Sequence, residues 1–112
     1  MDRVVIKPYS KDKFELVRGY SYEDITIPAG FCTNGADIPR IFWSLFPPNS
    51  PEYLSAVVVH DYACELAKQG LISYKIADGL FYKAMREIGV SAPKAWLFFI
   101  SCRAYHIIRL KG

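Results

Sequence analysis

A disulfide framework is missing from this chain. Three cysteines, Cys32, Cys64 and Cys102, are spread along 112 residues. Their odd number, and the lack of any Cys-x-x-Cys pair, argue against a stapled scaffold or a zinc knuckle and make a reducing compartment the expectation. The opening MDRVVIKPYS has no apolar core, so no signal peptide is expected. Nor is there a membrane span: Lys94, Arg103 and His106 interrupt AWLFFISCRAYHII, whose apolar stretch falls far short of the roughly 18 residues a spanning helix needs. Internal repeats and low-complexity tracts are absent too. Net charge is only +3, and the basic residues are scattered, which gives no strong signal for nucleic acid.

What remains is the composition of a globular protein, 52% hydrophobic and 22% charged. The length suits one domain over residues 1–112 with a single core, burying somewhat over about 60% of its unfolded surface. The segments RVVIKPY, KFELVRG and YSYEDITIP are rich in β-formers and broken by SKDK and Gly19, which predicts a small antiparallel sheet over residues 1–27. Five of seven prolines fall in residues 28–51, so an ordered loop is expected there, with a helical turn at 40–45. Such a long loop in a small domain points to function. Three helices follow over 52–109: the first is ended by Gly70, the second capped by Ser73 and ended by Gly89, and the third opens at Ser91 and Pro93. Ala77, Leu80, Phe81, Ala84 and Ile88 mark the second helix's core face. The third is apolar nearly all round, as a central helix would be, or one that buries a face against a partner. The fold class is therefore α+β.

Within this frame VVVHDYAC, residues 57–64, places His60 and Asp61 behind three valines, where polar groups are costly without partners. On a helix the two are rotated by about 100° and point to different surroundings. This suits a division of labour in which one faces a substrate or metal and the other binds an ion or ties down a loop; the plainer alternative is a ring that caps a nearby carbonyl and an aspartate that accepts backbone N–H groups of the preceding loop. Asp78 lies on the next helix beyond a short linker, and a hydrogen bond between Asp78 and a ring nitrogen of His60 is expected. A plainer alternative makes Asp78 a first-turn acid favoured by the helix dipole. In FCTNGADIPR, Gly30 and Gly35 permit unusual backbone, Thr33, Asn34 and Asp37 supply oxygens, and Pro39 stiffens the exit. That loop suits calcium or another divalent cation, or equally a set of turns bonded to themselves. Arg40 is expected to bond an acid or helix-end carbonyls, since it precedes the apolar IFW. Cys64, four residues after His60, raises a thiol-nucleophile alternative.

The order ITIPAGFCTNGADIPR, FWSLFPP, AVVVHDYAC and ADGLFYKAMREIGV resembles a family of small phage and prophage proteins of unknown function, over about residues 25–100. Asn34 stands where that pattern has Asp, and Asp37 where it has Ser. The resemblance implies a phage or prophage accessory protein, located in the host cytoplasm or a virion. A loop followed by a His-Asp helix and a second helix bearing an Asp is also similar to secreted calcium-dependent phospholipases. That likeness implies a metal-assisted hydrolase with His60 as base, Asp78 as its orienter, and Asp61 with Asn34 and Asp37 at the metal; peripheral lipid contact goes with it. The rival expectation is a non-enzymatic virion, tail-assembly or host-factor-binding protein in which these residues are a structural lock and Phe42, Trp43 and Phe46 meet a phage or host partner.

Overall fold

The computed structural model describes residues 4–10, 13–33 and 54–110. Asn34, Gly35, Asp37, Pro39, Arg40, Phe42, Trp43 and Phe46, and the turn expected at 40–45, lie outside them. The architecture is α+β, as the sequence predicts, with strands first and three helices after.

The strands divide into two sheets. Strands β1 (Ile6–Ser10) and β2 (Lys13–Leu16) pair antiparallel with Ile6 opposite Leu16, and the register slips between Pro8 and Ser10. Strands β3 (Tyr20–Tyr22) and β4 (Ile25–Ile27) form a separate hairpin. Its tight turn holds Glu23 at φ 53°, a left-handed conformation uncommon outside glycine. The Glu23 side chain reaches Lys83 of the second helix at 2.8 Å. The expected loop over 28–51 begins as a strand instead: β5 (Cys32–Thr33) pairs with β2, Phe14 opposite Thr33. Two residues are too few to show a period of two, so composition alone reads them as loop. Gly30, at φ 91°, turns the chain into β5.

Helices α1 (Leu54–Lys68) and α2 (Tyr74–Glu87) end as their glycines predict. At the end of α1, Gly70 N–H bonds Ala67 C=O and Leu71 N–H bonds Leu66 C=O. At the end of α2, Gly89 bonds Arg86 and Val90 bonds Met85 in the same pattern. Gly70 and Gly89 have φ of 81° and 99°, so both helices stop in a Schellman motif. Ser73 caps α2, its hydroxyl accepting from Ile76 N–H at 3.1 Å.

The central helix is α1 and not α3 (Ala92–Leu110). Ten of the 15 residues of α1 are buried, on every side of it. α3 buries Ala95, Phe98, Ser101, Cys102 and His106 and leaves Trp96, Leu97, Ile100, Ile107 and Ile108 exposed. It packs chiefly on α2, and its other apolar face is exposed. No described helix is long and apolar enough to cross a membrane.

Candidate functional site

His60 and Asp61 leave α1 in different directions, as their offset requires. Asp61 turns toward the sheet, where its Oδ2 accepts from the Thr33 hydroxyl of β5. Phe31 and Tyr62 pack edge to face across the same junction, 5.1 Å between ring centroids. Asp61 thus ties α1 to the start of the loop. Of the expected cation ligands, Thr33 and Asp61 come together, while Asn34 and Asp37 lie outside the described residues.

His60 turns the other way, toward α2 and α3. Its ring stacks on Phe81 at 4.5 Å and 15°, and its Nε2 lies 2.8 Å from Asp78 Oδ1. The bond expected from the helix spacing is formed. Asp78 sits in the second turn of α2, whose first turn holds no acid. The dipole alternative therefore fails, because that effect fades beyond the first turn.

The Asp78 carboxylate gathers more than spacing predicts. His106 Nδ1, from α3, lies 2.7 Å from Oδ2, and Arg103 Nη1 donates to the same oxygen at 3.1 Å. Both imidazoles and the carboxylate are fully buried. Burial pushes the Asp78 carboxyl up, but hydrogen bonds from His106 and His60, with the attraction of those rings, outweigh it and hold the carboxyl below its usual value.

Cys64 completes the group one turn after His60. Its sulfur lies 3.3 Å from His60 Nε2 and 3.9 Å from His106 Nε2. One donor atom from each of His60, Cys64, Asp78 and His106 falls within 4.8 Å of the other three. Sequence reasoning pairs His60 with Asp78 and notices Cys64 at its i+4 position, but it misses Arg103 and His106. A signal existed. The chain has only two histidines, each set in an apolar helix, and Arg103 and His106 share a helix face at i, i+3 spacing.

Fold and site together define a small α+β domain whose three helices meet on one buried, multiply bonded carboxylate. The chain belongs to the family described as "Protein of unknown function (DUF1353)", which matches residues 12–102. The matched stretch contains His60, Cys64 and Asp78 and ends before Arg103 and His106. The chain is also 34% identical over 98 residues to "Uncharacterized protein y4jT" of Sinorhizobium fredii (strain NBRC 101917 / NGR234), with 82% of this chain and 28% of the relative covered. It thus spans little more than a quarter of that protein's length. No solved structure matches it.

Proposed function

We propose that this chain is a non-enzymatic accessory protein in which Asp78, His60, His106 and Arg103 lock three helices together, while Asp61 and Thr33 lock the loop entrance to α1. The observation that carries this reading is the complete burial of His60, Asp78 and His106, each at 0% exposure. A base that activates water needs an approach for water and substrate, whereas a lock needs the opposite. Phage or prophage origin, with a place in the host cytoplasm or a virion, rests on the order of the sequence motifs.

Substitution His60→Ala tests the lock. It withdraws one donor from a buried carboxylate and leaves a hole against Phe81, so a loss of about 1–3 kcal/mol is expected from the polar imbalance. Thermal melting of wild type and variant reads it. An unchanged midpoint would remove the lock and return His60 to the role of water-activating base in ester or lipid hydrolysis.

A further inference from the structure

We propose that His60, Cys64, Asp78 and His106 bind a divalent transition-metal ion of the zinc class between the three helices. This deepens the reading of the cluster as a structural tie and rests on it.

The first argument is convergence: two imidazoles, a thiol and a carboxylate, each a metal-ligating group, meet in one buried place. His60 Nε2 lies 2.8 Å from a carboxylate oxygen and 3.3 Å from the Cys64 sulfur. Meanwhile the other ring nitrogen of His60, Nδ1, is buried with no hydrogen-bond partner among the described residues. Nε2 thus faces both an oxygen and a sulfur, while Nδ1 has no such neighbour. A cation between these atoms accepts a lone pair from nitrogen, sulfur and oxygen alike, with the His60 ring proton then carried on Nδ1.

The second argument is geometric. With metal–nitrogen bonds of about 2.0–2.1 Å and metal–sulfur bonds of about 2.3 Å, tetrahedral donors stand roughly 3.3–3.6 Å apart. Here the separations to Cys64 Sγ are 3.3 and 3.9 Å, and His60 Nε2 to Asp78 Oδ1 is 2.8 Å. All four donor atoms lie within 4.8 Å of one another, so no pair has to move by more than about 1.5 Å to reach that shell. His60 and Cys64 are fixed relative to each other by i, i+4 spacing on α1. His106 is held by its partner: Nδ1 bonds Asp78 Oδ2 at 2.7 Å, which turns Nε2 toward the sulfur. A carboxylate orienting a ligating histidine through its far nitrogen is a recurrent support in metal sites.

The donor set selects the ion. Calcium and magnesium take oxygen, so a thiolate with two imidazoles excludes them and suits zinc, with cobalt as its spectroscopic substitute. Carboxylate and thiolate cancel the charge of a divalent ion, leaving that of Arg103, whose side chain is 16% exposed. Four buried protein donors make a closed site, which ties elements together and has no position for a reacting water. Binding releases the thiol proton to solvent, and the His60 Nε2 proton passes to Nδ1.

The test uses the full chain, stripped with a chelator and titrated with cobalt(II). The expected result is one equivalent bound, with a thiolate-to-cobalt charge-transfer band that Cys64→Ser abolishes and that Cys32→Ser and Cys102→Ser retain. Zinc should displace the cobalt and raise the melting midpoint; calcium and magnesium in excess should do neither. No cobalt spectrum, or a band that survives Cys64→Ser, overturns the metal site. The lock is read separately by comparing stripped wild type with stripped Asp78→Asn. A lowered midpoint in the variant without cobalt binding removes the metal alone, whereas equal midpoints remove the lock on which it rests.

Discussion

A buried carboxylate can satisfy several donors at once, and residues 61 and 78 use that capacity differently. Asp78 receives donors from two other helices, whereas Asp61 is joined to one strand through the Thr33 hydroxyl. Thr33→Val keeps the shape of the side chain and replaces that hydroxyl with a methyl group beside a charge that is 8% exposed. A loss of about 1–3 kcal/mol is expected in urea unfolding. Thr26→Val, on the exposed face of β4, should change stability by less than about 0.5 kcal/mol. The residues of the site are legible in unequal measure. His60, Asp61 and Asp78 stand out because each is an acid or imidazole in an apolar context. Arg103 and His106 look like interruptions of a hydrophobic helix, because their meaning depends on an oxygen 25 and 28 positions away. Spacing rules reach about four residues along a helix and say nothing of such distances.

At the scale of elements, legibility follows the length of the signal. Both helix ends at Gly70 and Gly89 are readable, since a glycine after an apolar run supplies the left-handed residue the chain needs to turn away. β5 is not readable, being two residues long. The exchange of roles between α1 and α3 has a similar cause: each is apolar on most faces, and which one is enclosed depends on chain order and neighbours. The glycine ends make a clean prediction. An added Cβ would meet nothing within 4 Å at either position, so Gly70→Ala and Gly89→Ala are penalised by backbone conformation alone, about 1–2 kcal/mol each. The two sites share no hydrogen-bonding partner, and the double variant should show the sum, within about 0.5 kcal/mol, in chemical denaturation.

For the whole molecule, the cluster joins residues 18, 28 and 42 positions apart. The α1–α2 hairpin can assemble from neighbours in sequence, but the carboxylate acquires its full set of donors only after α3 has docked. Such late contacts are largely absent from the barrier state, so they govern how fast the native state is left more than how fast it is reached. Asp78→Asn should therefore speed unfolding by roughly 150- to 5,000-fold, given that a broken buried charge pair costs roughly 3–5 kcal/mol. Refolding should change by less than about threefold, which stopped-flow measurements of both limbs would resolve. Closed by α3 in this way, the fold has a persistence set by a rate: the same carboxylate that holds three helices at equilibrium fixes how long the chain withstands a protease that cleaves an opened chain faster than it recloses.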